Sequence, residues 1–154
     1  MRKIGNFTLG LVLGSFVSYQ IVKCFEPPKK QKTDKFKSYY NMLTRWLELE
    51  DNNLAIDKLF KQYGYNKIAI YGMGKIGMRL CNQLRNTDIE IAYVIDQYAK
   101  NVLDNICFKD PQDKLDEVDA VIVTIPFAYF EIKNQLTMKL ECPIVSLEHI
   151  LFEV

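Results

Sequence analysis

Gly72, Gly74 and Gly77 stand in the spacing G-x-G-x-x-G, directly after the apolar run Ile68-Ala69-Ile70-Tyr71. The turn reads Gly72-Met73-Gly74-Lys75-Ile76-Gly77. Glycines at these intervals suit the binding of a pyrophosphate at the start of a helix. Gly72 permits a tight turn out of a strand. Gly74 lets a phosphate approach the backbone with no Cβ in the way, and Gly77 lets the following helix pack closely on the strand. The unpaired N–H groups and positive dipole end of that helix then face the phosphates. A second apolar run, residues 89–95, ends in Asp96, 24 residues after Gly72. That is close to the roughly 20-residue offset of the acid that binds a ribose 2′-hydroxyl. A carboxylate there would repel a 2′-phosphate, which favours NAD over NADP. Gln97, Thr124 and Pro126 complete the candidate site, because they sit at the ends of two apolar runs. Thr124 could offer a hydroxyl to a ribose or phosphate, and Pro126 would shape its loop. Each also has a plainer reading: Thr124 as a β-branched strand end, Pro126 as a strand terminator, and the whole turn as a packing device that binds nothing.

Catalytic groups do not accompany this cradle. Tyr129-x-x-x-Lys133 has the spacing of a Tyr/Lys acid–base pair, but Tyr19/Lys23, Tyr63/Lys67 and Tyr71/Lys75 share it, so it carries little information. A phosphate-binding Walker loop fails because Met78-Arg79 stand where Lys-Ser/Thr is required. H-E-x-x-H and G-x-S-x-G do not occur, and no carboxylate dyad stands out. The cysteines, Cys24, Cys81, Cys107 and Cys142, make no C-x-x-C and suit neither zinc nor a disulfide framework. Cys81 and Cys142 read as buried thiols. His149, the one histidine, reads as a surface or satisfied side chain. With 20 basic and 19 acidic residues the charge nearly cancels, so no global field would steer nucleic acid.

Alternating strands and helices must position the turn. Residues 67–71, 89–95, 105–108, 119–125 and 143–147 read as strands, the third weak. Residues 76–85 and 128–140 read as helices, 113–118 as a brief helix or turn, and 148–152 as a last helical turn. Ala120-Val121-Ile122-Val123 has the continuous apolar character of a strand buried on both faces. The alternation predicts an α/β fold with a small parallel sheet of order 3-2-1-4-5. Ligands would then bind beyond the carboxyl ends of the strands, where strands one and four diverge. Upstream, residues 36–49 read as an amphipathic helix with Phe36, Tyr39, Tyr40, Leu43, Trp46 and Leu47 at three- and four-residue steps, expected to pack on the sheet or on a second protomer, with the membrane surface as the alternative. A second short helix, residues 54–63, follows the break at Asp51-Asn52-Asn53.

The amino-terminal part has a different character. Residues 4–22 carry no charge and are 19 long, close to the ~20 apolar residues that span a bilayer as a helix. Gly10, Gly14 and Ser18 line one face at the spacing that lets membrane helices approach. Lysines after residue 22 outnumber Arg2 and Lys3 before it, so the positive-inside rule would leave the carboxyl-terminal part cytoplasmic. The expected organisation is a transmembrane anchor (1–24), a basic linker (25–35), a helical pair (36–63) and a nucleotide-binding domain (64–154).

Residues 36–154 resemble the small Rossmann-like domains associated with bacterial capsular and surface polysaccharide biosynthesis. The likeness is carried by Tyr40-Asn41-Met42-Leu43-Thr44-Arg45-Trp46-Leu47, by the glycine turn, by Tyr93-Val94-Ile95-Asp96, and by the runs 119–124 and 143–148. It implies NAD, nucleotide or nucleotide-sugar binding near Gly72–Gly77 and Asp96, and it supplies no catalytic residue. The combined expectation is a membrane-anchored binding module, homo-oligomeric and partnered with a polysaccharide-assembly enzyme. The alternatives are an NAD-dependent oxidoreductase or epimerase-like enzyme completed by oligomerisation, and a structural adaptor with an empty fold.

Overall fold

The computed structural model describes residues 29–98 and 106–153. The chain divides into two compact units, residues 1–36 and 37–154. Of the first, the described part is the opening of helix α1, Lys29–Asp51. That helix begins inside the segment expected as a linker, because lysine and glutamine are good helix formers once the Pro27-Pro28 pair is passed. It ends at Asn53, which takes a left-handed φ of 57°. There the Leu54 N–H reaches back to the Leu49 carbonyl at 2.9 Å, closing the helix end as a left-handed residue commonly does.

Helix α2, Ile56–Gln62, is followed by strand β1, Lys67–Tyr71, and helix α3, Lys75–Leu84. Strands β2, Glu90–Ile95, and β3, Phe108–Lys109, come next. After β4, Ala120–Val123, a 3-10 turn over Pro126–Ala128 leads into helix α4, Tyr129–Thr137. Strand β5, Ile144–Ser146, and helix α5, Leu147–Phe152, complete the described chain. The five strands form one parallel sheet in the order β3-β2-β1-β4-β5, so the α/β class and strand order read from the sequence are those of the protein. Residues 113–118 are not helical. Asp110 and Asp113 instead bind nearby backbone N–H groups, at 2.9 Å to Gln112 and 2.8 Å to Asp110. Short acidic side chains compete with a helix in this way.

Alternation along β1 divides the core. Ile68 and Ile70 face one layer with Trp46, Phe60, Leu80 and Leu147, drawn from α1, α2, α3 and α5. Ala69 faces the other with Tyr93, Val121, Ile132 and Leu136, so α4 covers that side. β4 is buried throughout, as a strand covered on both faces must be. Trp46 joins α1 to α3: its indole N–H donates to Gln83 Oε1 at 2.8 Å. Arg79 lies 5.2 Å from the indole ring and grips Glu50 with bonds of 2.7 and 2.8 Å. Gln83 Nε2 also donates to Glu50. The apolar row on α1 splits in two. Met42, Trp46 and Leu49 are buried, with Tyr39 packed beside them, whereas Phe36, Tyr40, Leu43 and Leu47 are exposed. Residues 39 and 40 point about 100° apart on a helix, so a single core face cannot take both.

Among the described residues no helix is long and apolar enough to cross a membrane. The long helix α1 is studded with charge, and the expected span at residues 4–22 lies outside the described residues. This corrects the expectation of a single-pass membrane protein with a cytoplasmic carboxyl-terminal domain, which is not retained.

Candidate functional site

The glycine turn runs from the end of β1 into α3, and its three glycines meet three different environments. Gly72 takes a φ of +95°, open to glycine and strained for other residues. Its N–H donates to the Ile95 carbonyl at 3.0 Å, locking the turn to β2. A Cβ there would lie 2.8 Å from Ile125 Cγ1 and 2.9 Å from Thr124 Oγ1. Gly77 is tighter still: a Cβ would lie 2.1 Å from the Gly72 carbonyl oxygen. Gly74 is the exception. Its φ of −69° suits any residue, and a Cβ would meet nothing within 4 Å.

Gly74 caps α3, and the first bond of that helix runs from the Met78 N–H to the Gly74 carbonyl at 2.9 Å. The N–H groups of Lys75, Ile76 and Gly77 precede that bond, as helix starts dictate. Gly74 and Lys75 are exposed, while the Ile76 side chain is buried in the core. The Met73 N–H donates instead to Asp96 Oδ2 at 2.7 Å. Asp96 Oδ1 accepts from the Tyr98 N–H at 2.8 Å. Asp96 therefore braces the glycine turn and the loop after β2.

Thr124 is 2 % exposed, buried beneath the turn. Its Oγ1 lies 2.8 Å from the Gly72 carbonyl and 3.1 Å from that of Tyr71, and its N–H donates to Tyr71 at 3.0 Å. A hydroxyl has one proton to give, and here the fold takes it. Thr124 thus positions the turn. Pro126 borders a different hollow, of about 650 Å³, with Asn41, Tyr129, Lys133, Ser146 and His149. The Tyr129 hydroxyl donates to the Ile144 carbonyl at 2.9 Å, and Lys133 Nζ sits 5.6 Å from the Tyr129 ring centre. The Tyr/Lys pair is thus directed away from the glycine turn.

Gly72, Asp96 and Gln97 border a cleft of about 420 Å³ at the carboxyl ends of β1, β2 and β4. That size is within the range of small-ligand sites. Ile125, beside Thr124 at the end of the β4 run, lines it as well, and so do Tyr71 and Glu131, which sequence reasoning did not single out. The signal was positional: Tyr71 ends β1, and Glu131 lies in the first turn of the helix after β4. Burial raises the Tyr71 phenol above its ordinary pKa, and the charges of Asp96, Glu131 and Asp110 add to the effect. The phenol is therefore a neutral donor at physiological pH. Among the described lining residues there are carboxylates but no lysine or arginine.

Residues 64–144 match the family described as C2185-like, N-terminal. The glutamyl-tRNA reductase of Caldicellulosiruptor saccharolyticus is 30% identical over 75 residues, covering 44% of this chain and 19% of that protein. The chain thus spans about a fifth of the length of that relative. No solved structure matches. Neither the matched family nor this relative carries any mention of capsule or polysaccharide biosynthesis, so the expected association with it is corrected and is not carried further.

Proposed function

The chain belongs to the C2185-like N-terminal family, and on that premise we propose that it is a nucleotide- or dinucleotide-binding module. The phosphates would rest over Gly74 and the first N–H groups of α3, and a ribose would reach Asp96. One observation carries this reading. Gly72 and Gly77 are glycines because neighbouring atoms leave no room for a Cβ, whereas Gly74 needs to be glycine for neither space nor backbone conformation. A phosphate drawn against the backbone there supplies the reason. Asp96 and Glu131 at the cleft favour neutral ribose hydroxyls over a 2′-phosphate, so the proposed ligand is NAD or a nucleotide sugar in preference to NADP.

The likeness to a reductase covers a fifth of that protein and motivates a binding domain, not its reaction. The oxidoreductase alternative would need an acid or base from elsewhere, since Tyr129 is bonded to a backbone carbonyl outside the cleft. The test is calorimetric titration of the full chain with NAD, NADP and a uridine-diphosphate sugar. Binding to one of these, lost in a folded Gly74→Arg variant, is expected. Absence of binding to all three at millimolar ligand would overturn the proposal.

A further inference from the structure

Ser146 is 6% exposed, and among the described residues its Oγ has no hydrogen-bond partner. It stands at the N-cap of α5, where a serine ordinarily accepts from a backbone N–H of the first turn, yet it makes no such bond. A buried hydroxyl left unanswered destabilises a fold, and buried polar groups in native proteins are nearly always bonded. Ser146 lines the hollow of about 650 Å³ at the carboxyl ends of β4 and β5. This hollow shares no lining residue with the cleft at the glycine turn, and its size is that of a small-molecule site.

The other groups around the hollow define what it can hold. Lys133 is exposed at its rim, with Nζ 5.6 Å from the Tyr129 ring centre, and among the described residues no carboxylate pairs with it. An ammonium has three donors, so one resting over a ring keeps protons for an anion. Glu148 also borders the hollow, but its Oε1 already accepts from the Ser38 hydroxyl at 3.0 Å. His149 Nε2 lies 2.7 Å from Glu153 Oε1. A single uncommitted cation beside the charge of Glu148 suits a singly charged anion. A phosphate, with nearly two charges, would leave one of them unmatched. Pro126, Phe130 and Phe152 form apolar walls, and the two phenylalanines are 79% and 51% exposed. Such walls favour a flat or branched apolar body over a bare inorganic ion.

We propose that this hollow is a second binding site, for a small organic carboxylate with an aromatic or branched aliphatic body. Lys133 Nζ and the Ser146 hydroxyl each donate to the carboxylate, and the body lies against Pro126, Phe130 and Phe152. The site does not depend on nucleotide binding over Gly74, so either can fail without the other.

His149 is the chain's one histidine and lines the hollow, so its imidazole proton resonances report on the site directly. Phenylacetate titrated into the full chain at constant pH and ionic strength should shift them along a saturating curve. Lys133→Met should raise the dissociation constant at least about tenfold, as loss of a charge-assisted bond does, and Ser146→Ala about three- to tenfold. Ser146→Ala should also be at least as stable to heat as the parent, because it deletes an unanswered polar group rather than a bonded one. Should that variant misfold, the exposed Lys133→Met decides alone. Gly74→Arg should leave phenylacetate binding unchanged, which separates this site from the nucleotide site. The neutral isostere phenylacetamide should give no saturating shift over the same range. Absence of a saturating shift at millimolar phenylacetate would overturn the proposal and leave the Ser146 hydroxyl to water alone. Equal binding of phenylacetamide or of inorganic phosphate would overturn it too, as would an affinity indifferent to both substitutions.

Discussion

Two alanine substitutions three residues apart should separate the packing role of the glycine turn from its binding role. In Gly77→Ala the new Cβ falls 2.1 Å from the Gly72 carbonyl oxygen, more than 1 Å inside the 3.4 Å at which ordinary contact begins. Its neighbour is backbone, locked by bonds to Ile95 and Thr124, so no side-chain rotation relieves it. Overpacking costs about 1–3 kcal/mol, and a rigid backbone neighbour puts this site at the upper end. Alanine returns up to about 1 kcal/mol through its helix propensity, leaving a net loss of about 2 kcal/mol. At roughly 3 °C per kcal/mol for a chain of this size, the melting temperature should fall by about 6 °C. In Gly74→Ala the Cβ meets open space, and replacing a glycine cap by alanine should cost less than about 1 kcal/mol. Its effect should fall on the ligand, whose phosphate would now meet a methyl group, with affinity reduced about tenfold or more. Thermal unfolding and calorimetry on both variants give the comparison. If Gly77→Ala is as stable as the parent, the close approach of α3 to the turn is wrong. If Gly74→Ala loses as much stability as Gly77→Ala, Gly74 is a packing glycine and the argument for a phosphate over it collapses.

Thr124→Val keeps the shape but removes a buried hydroxyl shared by two carbonyls, so it should cost about 1–3 kcal/mol in urea unfolding; an unchanged midpoint would show that the hydroxyl does not hold the turn. Asp96→Asn should weaken NAD binding and narrow the preference for NAD over NADP, read by parallel titrations, because it removes the charge that repels a 2′-phosphate. Trp46→Ala empties a position that is 1% exposed and should cost about 3–5 kcal/mol, visible as a large fall in melting temperature. Asp119 accepts N–H bonds from Lys67 and Asn66 that hold its carboxyl below the ordinary value. A depressed folded pKa contributes stability above the unfolded value near 4 and loses it as pH falls through the folded one. Asp119→Ala should therefore be less stable than the parent at neutral pH, with the gap closing in strong acid; a gap independent of pH would refute this.

The local rules were legible where chemistry is local. Each strand of the sheet lies within or across the run that the sequence marks for it, because continuous apolar residues between polar breaks leave few other solutions. The glycine turn was legible because positive φ and missing Cβ atoms can be satisfied by few residue types. The brief element at residues 113–118 was misread because acidic side chains bind their own backbone, an outcome decided by geometry rather than periodicity.

What the sequence by itself determined is the alternation of strands and helices, the glycine spacing and the acid at the end of β2. Tertiary structure alone decided what each of those residues does. Gly72, Gly74 and Gly77 look equivalent in a motif, yet packing jams two of them and leaves the third open, because only the crossing of α3 over the turn sets those distances. Thr124 and Tyr129 carry hydroxyls that a sequence can offer to a ligand, and neighbouring carbonyls from distant strands claim both. The row on α1 reads as one apolar stripe until the sheet takes half of it and leaves Tyr40, Leu43 and Leu47 facing outward. Side-chain type is fixed by the chain, but its partner is fixed by whatever the fold brings within reach.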